Sequence, residues 1–132
     1  GYVMKTIVML MLASMLMIGA APAYSAEVAH FFYCQEGVDA TEEKLEAAAS
    51  SWLKAAKTMK GGDQFKAYVY YPLAAKMPGN TDLFFVVVAP SPEAWGVFWN
   101  GYKNSPAEKV DMENRTLVVC PDSALMESVP VK

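Results

Sequence analysis

The hydrophobic and polar positions of the chain change period several times, and each change marks an element. "EVAHFFYCQ" (27–35) is dense in aromatic and β-favouring residues and predicts a first strand. From "EGVDATEEKLEAAASSWLKAAKTMKGG" (36–62) onward the apolar residues recur at three-and-four spacing: Leu45, Ala48/Ala49, Trp52, Ala55/Ala56, Met59. That is the stripe of an amphipathic helix. Asp39 is the expected cap with Glu42 as its capping-box partner, and Gly61-Gly62 the expected stop. "FKAYVYY" (65–71) alternates strictly, with Phe65, Ala67, Val69 and Tyr71 on one face and Lys66, Tyr68 and Tyr70 on the other. A turn-rich connection leads to a third strand, "DLFFVVVA" (82–89), and then to "PSPEAWGVFWNGYKNS" (90–105). Ser91 before Pro92 is a helix start. Trp95, Phe98, Trp99 and Tyr102 fall on one face of that helix.

The last strand has two candidates, "RTLVVC" (115–120) and "ALMESVPV" (124–131). Either completes a β-α-β-β-α-β order, the ferredoxin-like unit: an α+β fold with a four-stranded antiparallel sheet and two helices on one face. Right-handed crossovers are expected to place strands 1 and 3 in parallel at the centre, strand 4 beside strand 1 and strand 2 beside strand 3. Strand 4 runs antiparallel to strand 1, so its start lies beside Cys34 at the end of strand 1. The later segment then brings Cys120 to Cys34, whereas the earlier one leaves it about 10 Å or more away, beyond the ~7 Å a disulfide tolerates between Cα atoms. The later strand, 124–131, is the favoured reading.

The first quarter follows another rule. Lys5, the apolar run "TIVMLMLASMLMIGA" and the small residues of "APAYSA" have the order of a secretory signal, too short for a stable membrane span. Residues 1–25 are therefore read as a signal peptide, with residues 1–3 upstream of Met4. Cleavage after Ala23 and after Ser25 both remain open, and 26–132 is a single domain. The expected destination is the periplasm or the extracellular space. There the two cysteines of the chain, Cys34 and Cys120, are most simply a disulfide. Of the 11 basic side chains only Lys5 lies in the leader, against none of the 14 acidic ones, so the domain is more acidic than the whole chain's −3. It carries no basic patch, which argues against nucleic acid as a partner.

Both helices cover one sheet face, so the other should turn polar. Instead "LFFVVVA" is apolar on both faces and "VAHFFYC" nearly so. A second copy, applied by two-fold symmetry, is the most economical cover, and a homodimer through the open sheet face is expected.

The order of elements, the two-faced central strands and "SPEAWGVFWNGYKNSPA" resemble the dimeric α/β-barrel superfamily. "FFYCQEGVDATEEKLEAAASSWLKAAKTM", with its cysteine closing strand 1, and "CPDSALMESV" resemble uncharacterised exported bacterial members of it. The resemblance implies sheets packed face to face between subunits. Some members of that superfamily are cofactor-free monooxygenases and others bind or degrade haem, but no motif here carries any member's catalytic residues onto this chain. Fold alone leaves function open.

The candidate chemistry is sparse. His30 is the only histidine, on the strand face of Val28, Phe32 and Cys34, where it is a hydrogen-bonded interior residue, a proton handle or a haem ligand. No His/Cys cluster has metal-ligand spacing, and no phosphate or nucleophile motif occurs. A candidate pocket would draw on His30, Tyr68, Tyr70, Trp95, Trp99 and Tyr102, with the aromatic helix face chiefly core. The expected function is an exported homodimer that binds a small apolar molecule or a partner, with no required cofactor. The alternative is a cofactor-independent or haem-linked monooxygenase-like enzyme.

Overall fold

A computed structural model describes residues 26–132; the leader assigned to residues 1–25 lies outside the described residues. The elements are β1 (Val28–Glu36), α1 (Glu42–Ala56), β2 (Lys66–Tyr70), β3 (Leu83–Ala89), α2 (Pro92–Asn100), α3 (Pro106–Glu113) and β4 (Val118–Glu127). They form one four-stranded sheet of order β2-β3-β1-β4, antiparallel at every pairing. The fold is ferredoxin-like. Among the described residues no helix is long and apolar enough to cross a membrane.

Strands 1 and 3 are antiparallel, not parallel as expected from the crossovers. Each crossover makes its two strands parallel across an intervening strand: β1 with β2, and β3 with β4. The connection from β2 to β3 then reverses the chain between the two units, so β1 and β3 meet head to tail.

Helix α1 begins later than expected. Ala40 N–H closes a turn onto Gly37 carbonyl (3.1 Å), which holds Asp39 outside the helix. Thr41 is extended (φ −130°) and its Oγ1 accepts from Lys44 N–H at 3.2 Å, so Thr41 rather than Asp39 is the cap. The helix also stops before the glycines. Thr58 hydroxyl donates to Ala55 carbonyl (2.6 Å), and the backbone tightens through Thr58 to Ala55 and Met59 to Ala56 bonds. Gly61-Gly62 serve packing instead. Gly61 has φ +86°, and a Cβ on Gly62 would lie 2.2 Å from Ala56 carbonyl and 3.0 Å from the Phe98 ring.

Ser91 caps α2 through Ala94 N–H (3.1 Å), with Pro92 in the first turn, as expected. Helix α3 was not predicted. Its signal repeats that of α2: Ser105 Oγ accepts from Glu108 N–H (3.1 Å), Pro106 follows, and Glu108 carboxylate reaches back to Asn104 N–H (3.1 Å). The segment is short, with little apolar periodicity, and it packs chiefly on α1.

Strand β4 joins the two candidate segments into one. Asp122 pairs with Tyr33 and Val119 with Gln35, so Cys120 and Pro121 together oppose Cys34. This is a bulge, the position where a strand tolerates a proline that has no N–H for the ladder. Cys34 and Cys120 meet there as a disulfide with Cα atoms 4.0 Å apart. The bond closes an 86-residue separation. Cys34→Ser/Cys120→Ser should cost about 2–4 kcal/mol in denaturant unfolding. Alkylation of oxidised protein followed by mass analysis should label neither thiol.

The register divides the sheet into two faces. Val28, Phe32, Cys34, Leu83, Phe85, Val87 and Ala89 face the helices, and with Trp52, Phe65 and Phe98 they make the core. The opposite face is a grid whose rows run across β2-β3-β1-β4: Lys66–Val88–Ala29–Met126, Tyr68–Val86–Phe31–Ala124, and Tyr70–Phe84–Tyr33–Asp122. Tyr68, Tyr70 and Met126 are 45 to 49% exposed on it, while Val86 is buried between the larger side chains of its neighbours.

Candidate functional site

Between the helix face of the sheet and the three helices lies a cavity of about 380 Å³. Its floor is Phe32, Val69, Leu83, Phe85 and the Cys34–Cys120 disulfide; α1 contributes Leu45, Ala48, Ala49 and Trp52. Small residues in the middle of the α1 stripe leave the space open, because two alanines face a sheet surface that bulkier side chains would fill. Trp99 and Tyr102 close one side. The polar groups gather at one end, from Tyr102, Asp111, Asn114 and Arg115.

Those groups retain free capacity. Trp52 indole N–H donates to Tyr102 Oη (3.2 Å), which leaves the Tyr102 hydroxyl proton available. Burial pushes the Tyr102 phenol up; the bond from Trp52 opposes this, and the negative charges of Asp111 and Glu108 add to it. Burial likewise holds the Asp111 carboxyl above the usual carboxylate range, against the pull of Arg115. Arg115 lies 3.8 Å from Asp111, with the Arg115 side chain mostly in water and that of Asp111 about half buried, a weak ion pair that leaves the guanidinium free for other acceptors. Asn114 Nδ2 donates to Val110 carbonyl (2.8 Å), so its side-chain oxygen is its open group.

The six candidate pocket residues separate into three places. Trp99 and Tyr102 line the cavity. Tyr68 and Tyr70 lie on the opposite face of the sheet, stacked with centroids 6.2 Å apart, because the alternation of β2 sends them away from the helices. His30 and Trp95 form a unit outside the cavity lining: Trp95 indole N–H donates to His30 Nδ1 at 3.3 Å, and the imidazole lies 4.0 Å from the Phe32 ring. The aromatic face of α2 is therefore divided among roles. Phe98 is fully buried core, Trp95 meets His30, and Trp99 with Tyr102 walls the cavity. Trp99 indole N–H is buried without a hydrogen-bond partner among the described residues. Sequence reasoning missed Trp52 as a lining residue and missed Asp111, Asn114 and Arg115. The first sat in a stripe read as core, and the others depend on α3.

Among the described residues no group of three His, Cys, Asp or Glu side chains could hold a metal ion. His30 is 9% exposed, and burial lowers its pKa below the ordinary 6.5. The unfolded chain therefore binds the proton more readily, and stability falls as pH drops below about 6.5. Urea midpoints between pH 7.5 and 5 should decline, and His30→Phe should flatten that decline.

No protein-family model and no curated protein matches the chain. Solved structures similar to it include a dimeric ferredoxin-like protein of unknown function from Thermobifida fusca: 14% identity, TM-score 0.47, 83% of this chain and 95% of that one covered. The RPA0582 protein of unknown function from Rhodopseudomonas palustris is similar at 13% identity and TM-score 0.46, over 83% of this chain and 85% of that one. A protein provisionally called a chlorite dismutase is similar at 10% identity and TM-score 0.40; 76% of this chain aligns with 43% of that longer one. The assignment of the fold rests on the strand order and register given above.

Proposed function

We propose that the protein is an exported, homodimeric binding module that takes up a small, mainly apolar molecule between its sheet and helices. The cavity carries this reading. At about 380 Å³ it falls in the lower range of ligand sites, and its apolar walls with a few polar groups at one end are the usual design of such a site. The walls would hold an aromatic or aliphatic body, and Tyr102, Asn114 and Arg115 would orient a polar end. Export is supported by the disulfide together with the leader-like order of residues 5–25. Fractionation of cells expressing the full chain, with recovery outside the cytoplasm, tests it.

The monooxygenase-like alternative would draw on His30, whose Nδ1 is held by Trp95 outside the cavity lining; the binding reading uses residues that line it. An absorbance scan of purified protein, with and without added haem, checks the haem-linked form directly.

Binding is tested by isothermal titration calorimetry of the domain with small aromatic probes such as naphthalene and indole. Ala49→Leu should fill the space from α1 and weaken binding by tenfold or more while keeping the melting temperature. Probes that bind both proteins equally, or neither, would remove the cavity as a site.

A further inference from the structure

The open sheet face carries two charges in its paired rows, and their placement specifies how a second copy sits on it. Lys66 and Asp122 occupy diagonally opposite corners of the grid, Lys66 on edge strand β2 and Asp122 on edge strand β4. Both are exposed. The positions between them are apolar or aromatic: Val88, Ala29, Met126, Val86, Phe31 and their neighbours.

A two-fold axis between two packed sheets lies parallel to them, and its direction decides which corner meets which. Along the strands, it lays Lys66 over the partner's Met126 and Asp122 over the partner's Tyr70. Across the strands, it lays Lys66 over the partner's Tyr70 and Asp122 over the partner's Met126. Both arrangements press unpaired charges onto apolar or aromatic side chains, which is costly. An axis along the Lys66–Asp122 diagonal sets lysine on lysine and aspartate on aspartate. An axis perpendicular to that diagonal sets Lys66 over the partner's Asp122, and symmetry repeats the pair at the other corner.

We propose that two copies pair through this face about that last axis, with Lys66 of each protomer facing Asp122 of the other. The proposal rests on the homodimer reading above and deepens it by giving the orientation. Three strand spacings of ~4.8 Å and four residues of ~3.3 Å make the grid about as wide as it is long, so the axis lies near 45° to the strands. The strands of the two sheets then cross at roughly 90°, the orthogonal class of sheet packing. Lysine has the reach to bridge sheets ~10 Å apart at the rim of such a contact. The charges set register, while the rows between them supply the apolar area.

The test is charge reversal at the two corners of the full domain, read by sedimentation equilibrium. Lys66→Glu and Asp122→Lys alone should each raise the dimer Kd by roughly tenfold or more, since each doubles a like-charge contact by symmetry. The double variant Lys66→Glu/Asp122→Lys should return the Kd to within about threefold of wild type. An equimolar mixture of the two single variants should form heterodimers in preference to either homodimer, because both of its corner pairs are complementary. Single variants that dimerise like wild type, or a double variant as weak as the singles, would overturn the orientation and leave the dimer standing. A monomeric wild-type domain would remove the dimer itself.

Discussion

Phe98→Ala should destabilise the domain by about 3–5 kcal/mol, the cost of emptying the site of a buried aromatic. Phe98 is fully buried and joins two elements across the core. Its ring centroid is 4.6 Å from Phe65 on the approach to β2 and 5.8 Å from Trp52 on α1. It also packs closely against Gly62, where a Cβ would come within 3.0 Å of the ring. The surrounding side chains are themselves held by other contacts, so the cavity would not collapse. Urea unfolding should show a lowered midpoint at constant slope. Trp95→Ala should lose less, about 1–3 kcal/mol, because Trp95 is half-buried and gives up one bond to His30. Equal losses at the two positions would mean that the α2 face acts as one undivided core surface.

The second large effect separates the two faces of the sheet, at Val87 on β3 and Phe31 on β1. Val87 pairs with His30 and Ala67 on the helix side and is 1% exposed. Val87→Lys should leave the domain unfolded, since it drives an unpaired charge into the core. Phe31 stands on the open face, with Tyr70 and Phe84 at 6.4 and 6.2 Å. Phe31→Lys should keep the fold, as its ammonium can reach water, but it would set two like charges near the centre of the proposed interface. The expected result is a cooperative melt at a temperature close to that of an isolated protomer, with sedimentation at half the wild-type mass. A Phe31→Lys protein that stays dimeric at micromolar concentration would place the interface elsewhere. The apolar grid would then need another cover, because exposed patches of this kind on monomers are usually limited to a few hundred Å².

These two experiments depend on knowledge of different origin. That β2 sends Tyr68 and Tyr70 to one side and Val69 to the other is read directly from alternation, since neighbours along a strand must point in opposite directions. Another local signal, a capping serine followed by proline, marks Ser91-Pro92 as a helix start, and the same marker at Ser105-Pro106 was there to be read for α3. The pairing of two cysteines followed from composition and the expected redox environment. By contrast, β3 is apolar at every position, so periodicity alone could not say whether Val86 or Val87 enters the core. Only pairing with β1 and β2 decided it. Pro121 made one strand look like two, because a proline breaks a ladder unless a bulge opposite Cys34 removes the need for its N–H. The cavity is further still from local signals. It exists because Ala48 and Ala49 on α1, Trp99 and Tyr102 near α2, and Asp111 on α3 converge over Phe32 and Phe85. Spacing along the chain reports which side of its own element a residue occupies. What lies across from that side is set by crossover, register and packing, and these are contacts between residues far apart in sequence.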